Sequence, residues 1–302
     1  MSSLAVSQAE PVAGSTPGTA QGRPPLRRRI ALIPTATLLL GAIYCLLPVA
    51  WVVIAATKSG SELFSTFTFR PGTGFADNFH DLSAYRDGVY WEWMGNSALY
   101  AVLGALLSTC VSAISGYALA TYRFRSRETI FNVLLAGVLM PPVILAIPQY
   151  LLLAKADLTD SYLSVLLPQI LSPYGVYLAR IYAAAAVPAD VVEAGRMDGA
   201  SEWRIFTRIA LPMMIPGMVT VFLFQFVAIW NNFLLPYIML SDDEKFPITL
   251  GLFTLLEQGA NTPAMYTLVI TGAFLAVLPL VALFLVIQRF WSLDLLSGAV
   301  KS

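Results

Sequence analysis

The feature that most limits what this chain can become is a series of long, uninterrupted apolar runs. Their approximate limits are Ile30–Ala56, Asn96–Thr121, Ile130–Ala154, Tyr162–Ala184, Pro212–Leu240 and Met265–Ile287. Each is close to or above the ~20 residues that carry a helix across a bilayer. Lipid offers no water to the backbone, so a spanning segment must be a helix or part of a closed barrel. These runs are too long for barrel strands, which need only ~9–11 residues. The expected fold is therefore all-α: a polytopic membrane protein with about six transmembrane helices, one per run. Composition agrees, with 57% hydrophobic and 12% charged residues, where soluble domains have about a quarter charged.

Pro141, Pro142, Pro148, Pro168, Pro173, Pro216, Pro236 and Pro279 fall in or near these runs. In water they would argue against helix. In a membrane bundle neighbouring helices satisfy the freed backbone groups, and kinks often line a pathway. The third and fourth runs carry the most prolines and have the least defined limits.

Residues 1–29 are rich in Ser, Ala, Gly and Pro and end in Arg23, Arg27, Arg28 and Arg29. They read as a disordered, solvated tail. A cleaved signal peptide is the rival reading, but the run after the arginines far exceeds an apolar signal core of ~7–15 residues. The transmembrane domain is then 30–290, and 291–302 is a short C-terminal tail. Orientation follows from Lys and Arg: thirteen of the eighteen fall in the tail, the 122–129 loop, the 185–211 segment, Arg180 at its border, and the C-terminus. That side is expected to be cytoplasmic, with both termini on it. Loops 57–95, 155–161 and 241–264 would face outside. Loop 57–95 holds Trp91 and Trp93 among several Phe, Tyr, Asp and Glu residues. They belong either to an interfacial aromatic belt or to a docking surface for an outside protein.

Several function classes fit poorly. Net charge is zero, so no overall field draws nucleic acid. Cys45 and Cys110 sit in apolar runs and read as buried free thiols. His80 is the only histidine and has no cluster around it for a metal. No catalytic constellation is visible. No run holds a mid-membrane carboxylate, which argues against a proton-coupled carrier.

The informative stretch is 187–212. Pro188 stands near the first position of a helix, with Asp190 and Glu193 at its positive pole. Gly195 and Gly199 share a face if the helix continues that far. Gly199 is also suited to end it, because glycine takes positive φ without a clash. Ser201 can cap a second short helix with Trp203, Phe206 and Ile209 on its apolar side, and Pro212 marks entry to the fifth run. Without further information this is an interfacial helix pair joining two spans.

The residues themselves resemble the EAA loop of ABC-importer permeases, in the carbohydrate-uptake branch that includes MalG-like subunits. Pro188, Asp190, Val191, Glu193, Ala194, Asp198, Gly199, Ala200, Ile209, Leu211 and Pro212 match that pattern in order and spacing. Gly195 departs from it, standing where the family has a second Ala; the change weakens the helix by roughly 1 kcal/mol. Trp230-Asn231 with Phe233, Asn96-Ser97, and Gly116 to Ala120 also fit this branch, so the likeness runs from about residue 30 to 290.

The resemblance implies the type I ABC importer (MetI-like) permease fold and one half of a translocation pathway for a sugar or sugar-like solute. It implies that the 188–200 helix docks on a separate ATPase dimer, through Glu193, Ala194, Gly195, Asp198, Gly199 and Ala200. ATP and Mg would lie on that partner, and no cofactor on this chain, which would be no enzyme. The further implied partners are a second, MalF-like permease and an extracytoplasmic solute-binding protein, with membrane lipid around them in a bacterial cell membrane. The chain has no phosphate loop of the Gly-x-x-x-x-Gly-Lys-Ser/Thr type, and Leu296-Ser297-Gly298 only faintly echoes an ABC signature.

Gln225, Trp230, Asn231 and Asn232 are candidates for the pathway lining. Amides offer both donor and acceptor, and Trp offers a face for a sugar ring; interhelical packing is the alternative. Glu257, Gln258 and Asn261 precede the sixth run, where the family's loop projects toward the binding protein; an ordinary solvated turn is the alternative. The competing function is an ion-gradient-driven secondary transporter or channel, and the coupling motif separates the two. The resemblance leaves the solute open among saccharides, polyols and glycerol phosphate.

Overall fold

The computed structural model describes residues 32–258 and 263–299. The expected Asn261, the tail 1–29 and residues 300–302 lie outside them. Among the described residues the regular structure is entirely helical. By packing, the chain divides into residues 1–46 and 47–302. Across that division runs α1 (Leu32–Ala56), apolar at nearly every position and with Pro48 inside it.

The 57–95 segment is built rather than loose. Ser59 and Glu62 cap each other at the start of α2 (Gly60–Ser65), which satisfies N–H groups that a helix start leaves open. Lys58 is 2% exposed, and its ammonium donates to the Phe67 carbonyl at 2.8 Å. Asn78, on α3 (Phe75–Ala84), donates to the carbonyls of Ala56 and Lys58.

The next helix, α4 (Val89–Thr121), begins seven residues before the apolar run does. That early start corrects the reading of the two tryptophans. Tyr90, Trp93, Ser97 and Tyr100 recur at helical spacing and face inward. Trp93 is 1% exposed and donates its indole N–H to the Asp243 carbonyl at 2.9 Å. Trp91, off that stripe, stays partly exposed.

α4 is the central helix. Gly104, Ser108, Ser112 and Gly116 stand four apart along one face, which lets neighbours come close. Gly116 is in such close contact with the next layer that a Cβ there would lie 2.6 Å from Ala179. Cys110 falls off this stripe. Both it and Cys45 are exposed, not buried as expected: Cys110 lines a mostly apolar groove with Met218, Phe222 and Ile287.

The third and fourth runs are broken spans. α5 (Arg127–Leu139) and α6 (Pro142–Lys155) meet at 106°. A residue before proline is pushed out of the helical region; Met140 and Pro141, each preceding a proline, have ψ of 128°. α7 (Tyr162–Ile170) and α8 (Pro173–Ala186) are separated by Leu171 and Ser172, both extended. Ser172, itself before Pro173, caps α8 by accepting the Gly175 N–H at 3.0 Å.

Beyond α8 the chain bends by 75° at Val187 and Pro188 into α9 (Ala189–Met197). It then forms one continuous helical stretch, Glu202–Trp230: α10 (Glu202–Ile205), a π turn at Phe206–Ala210, and α11 (Leu211–Trp230). The expected separate short helix is thus the first turn of the fifth span. Pro212 has no N–H and its ring crowds the preceding turn. The widened turn, with Leu211 N–H bonding the Phe206 carbonyl, accommodates it.

α11 stops at Trp230, and α12 (Leu234–Met239) follows. Pro236 explains the break. In an unbroken helix its missing N–H would pair with the Asn232 carbonyl. That carbonyl instead accepts the Thr249 hydroxyl at 3.0 Å. The segment after α12 is not all loop: α13 (Ile248–Gln258) buries Ile248, Leu250 and Leu255. Last is α14 (Pro263–Ala299), which extends through most of the residues assigned to the C-terminal tail.

Polar contacts gather at two opposite ends of α4. At one end Asn96 donates to the carbonyls of Glu244 and Phe246 and accepts from Tyr162. There too Asp160 accepts the N–H groups of Ser241 and Asp242, both at 3.0 Å, and Lys245 pairs with Asp242 at 2.7 Å. At the other end Tyr122 meets Glu202, and Arg180 pairs with Glu128 at 3.2 Å and covers the Phe131 ring. Each broken span therefore runs from one polar end to the other despite its bend.

Candidate functional site

Two features stand out: a projecting helix at the Arg196 end, and a cavity among the broken spans.

Pro188 is the cap of α9, with Asp190 in the first turn and Arg196 in the last, so its charges oppose the helix dipole. Gly199 ends it with φ of +75°. Its N–H bonds the Arg196 carbonyl and the Ala200 N–H bonds the Gly195 carbonyl, both at 3.0 Å. This is the paired closure that a left-handed residue permits. Ser201 then caps α10 by accepting the Arg204 N–H.

Across this turn Arg196 grips Glu202 with two hydrogen bonds, Nε to Oε1 at 2.7 Å and Nη2 to Oε2 at 3.3 Å. Tyr122, at the end of α4, donates to the same carboxylate at 2.9 Å. The Glu202 hydrogen bond raises the Arg196 pKa, so the guanidinium stays charged throughout. The clamp ties α9 to the central helix.

The six residues of the expected docking set divide. Glu193, Ala194, Asp198 and Gly199 are exposed, and Ala200 is half-buried. Gly195 is buried, and a Cβ there would lie 3.2 Å from Ile205 and 3.3 Å from Ile209. It admits the chain's own next helix, not an outside surface. Because α9 stops at Met197, Gly195 and Gly199 never share a helical face. Two large apolar residues are exposed beside this set: Met197, on which the sequence reading placed no role, 87% exposed, and Trp203, 64% exposed. Of the residues expected on the apolar side of this helix, Phe206 is buried beside Ile205 and Ala210, whereas Trp203 stays at the surface.

The cavity, about 320 Å³, lies between the α5–α6 elbow, the α7–α8 break and α11. Gln225 and Asn232 line it. Gln225 donates to the Ser172 hydroxyl at 2.6 Å. Asn232 approaches the Gln169 amide at 3.5 Å and accepts the Leu235 N–H. The other two pathway candidates do not join them. Trp230 is 3% exposed and stacks on Phe226 at 5.7 Å, so its ring is part of the core. Asn231 is exposed and bonds back to the Val227 carbonyl. Gln149, Gln169, Ser172 and Tyr174 complete the polar lining. Isolated glutamines inside apolar runs, next to prolines, were the available signal.

Of the third set, Glu257 and Gln258 are exposed at the end of α13. Tyr85 donates to the Gln258 amide oxygen at 3.4 Å, which joins that end to the 57–95 segment. Among the described residues no cluster of His, Cys, Asp and Glu could hold a metal.

Comparison with known proteins places these features. The family described as "Binding-protein-dependent transport system inner membrane component" matches residues 109–293, which contain α9 and the cavity. The arabinooligosaccharides transport system permease protein AraQ of Halalkalibacterium halodurans is 34% identical over 263 residues, 86% of this chain and 92% of that relative. The lactose transport system permease protein LacG of Rhizobium radiobacter is 32% identical, over 91% of this chain and 98% of its own length. A chain in the crystal structure of a bacterial ABC transporter involved in alginate import superposes with a TM-score of 0.74. At 22% identity it covers 86% of this chain and 95% of its own, and so speaks for the fold alone.

Proposed function

We propose that this chain, which belongs to the binding-protein-dependent transport system inner membrane component family, couples ATP hydrolysis to solute import through the exposed face of α9. It is a multi-pass permease subunit of an ABC importer of the sugar-uptake kind. In such importers a separate subunit hydrolyses ATP, and a binding protein delivers the solute.

The observation that carries the coupling reading is geometric. Glu193, Ala194, Met197 and Asp198 project from a short helix that the Arg196–Glu202–Tyr122 clamp fixes to α4. A force applied to α9 passes directly into the spans. The excess of Lys and Arg puts this end in the cytoplasm with both termini, where the ATPase dimer binds ATP and Mg. The opposite end, with Glu257 and Gln258, faces the solute-binding protein. A second permease of the same fold supplies the other half of the pathway, and Gln225 and Asn232 line this half. The cavity holds no carboxylate, the group an ion-driven carrier would be expected to place there.

The test is Glu193→Lys in the assembled transporter, with radiolabelled L-arabinotriose and lactose as probes. Uptake is lost while the variant still inserts and assembles in the membrane. Full uptake by Glu193→Lys contradicts the reading.

A further inference from the structure

We infer that the cavity among the broken spans is a subsite for one ring of an uncharged, hydroxyl-rich solute and disfavours anions. This rests on the reading of the chain as half of a translocation pathway, and it narrows the class of solute.

The inventory of the cavity is one-sided. Gln149, Gln169, Gln225 and Asn232 bring side-chain amides, and Ser172 and Tyr174 bring hydroxyls. Amides donate and accept, as sugar hydroxyls do, so each can meet a hydroxyl in either sense. No residue lining the cavity carries a charge. An anion entering would give up water without meeting a cation, a cost that only pairing can offset. The ion pairs of the described chain lie instead at its two polar ends.

The remaining walls suit the same ligand. Leu145, Pro168, Ile229 and Leu235 are apolar and match the C–H faces of a sugar ring. The polar groups differ in how firmly they are held. Gln225 is fixed to Ser172 at 2.6 Å, whereas Asn232 and Gln169 are 3.5 Å apart. The Gln149 side chain, on α6, makes no hydrogen bond among the described residues. The cavity thus has a rigid side and an open side with spare hydrogen-bonding capacity. At about 320 Å³ it sits at the small end of ligand sites, ~300–1,000 Å³, which fits part of a saccharide rather than a long oligomer.

Thiol protection in cells that carry the whole transporter tests this. Cys45 and Cys110 are replaced by Ala, and Gln169→Cys or Asn232→Cys is introduced singly. The uncharged reagent 2-hydroxyethyl methanethiosulfonate labels the thiol in the presence or absence of L-arabinotriose, lactose or sn-glycerol 3-phosphate. The expected result is labelling at both positions, slowed several-fold by at least one neutral saccharide and unchanged by glycerol 3-phosphate. Using two positions covers the case in which one variant does not assemble. Protection by glycerol 3-phosphate alone, equal protection by all three, or no protection by any overturns the assignment. Glu193→Lys, assayed for uptake without the cysteine changes, separates the two readings. If it transports normally, the coupling reading fails; if it is inactive and neither cysteine is protected, only the subsite fails.

Discussion

Arg196 and Glu202, six residues apart in sequence, close the turn between α9 and the fifth span with a two-pronged ion pair. Both side chains are about half exposed, so water screens the pair and its share of overall stability is small. Its importance is directional, because two parallel hydrogen bonds set an angle that one would leave free. Glu202→Arg or Arg196→Glu alone is expected to uncouple ATP hydrolysis from uptake with little change in thermal stability. The exchanged pair, Arg196→Glu with Glu202→Arg, recovers part of the uptake. Loss in both single variants without recovery in the double would mean that each residue acts separately.

The two glycines of this segment are expected to fail differently. Gly199→Val forces a branched side chain into φ of +75°, at a cost of about 1–2 kcal/mol, and no neighbour lies within 4 Å to be pushed. Gly195→Leu instead drives a side chain into Ile205 and Ile209, with an overpacking cost of about 1–3 kcal/mol. Gly195→Ala balances a tight contact against a gain of ~1 kcal/mol in helix propensity and should be near neutral. Thermal unfolding in mild detergent distinguishes these. An unchanged melting temperature for Gly195→Leu would show that Gly195 faces outward.

Thr249→Val removes the hydroxyl that satisfies the Asn232 carbonyl where Pro236 breaks the helix. A half-buried carbonyl left without its partner costs about 1 kcal/mol or more, so the melting temperature should fall by a few degrees. Thr249→Ser, which keeps the hydroxyl, should restore most of it. Equal melting temperatures for the Val and Ser variants would contradict this account of the break.

At the opposite end, the Lys245 ammonium and then the Glu244 N–H hold the Asp242 carboxyl below its usual pKa. The sign follows from linkage. A depressed carboxylate contributes stability above its unfolded pKa and loses it as pH falls through the folded value. The difference in melting temperature between the native chain and Asp242→Asn should therefore be constant at neutral pH. It should close only below pH ~4, the ordinary Asp range. A gap that closes between pH 7 and 5 would contradict it.

The apolar runs made the spans and the all-α fold legible, because bilayer thickness dictates helix length whatever the packing. The end of α9 was equally legible, since Gly199 and Ser201 are local signals that act through backbone geometry and capping. What tertiary packing decides was not legible. Trp93 lies near a span end, as belt residues do, but only the start of α4 at Val89 shows that it faces inward. Gly195 fits a docking motif, yet its neighbours Ile205 and Ile209 come from the next helix. Of the four pathway candidates, two line the cavity, because the break after Trp230 turns Asn231 outward while Phe226 covers Trp230. Prolines announced bends in the third and fourth spans, but the 106° angle that opens the cavity depends on both sides of the elbow.

The central claim is that α9 is held by an ATP-hydrolysing neighbour, and Met197, a large apolar residue of this helix left 87% exposed, is the place to ask. A photo-crosslinking benzoylphenylalanine at position 197, activated in membranes containing the whole transporter, should yield one main adduct, with the ATPase subunit, and ATP should change its yield. Adducts with phospholipid alone, in a transporter that still assembles and imports, would contradict the account.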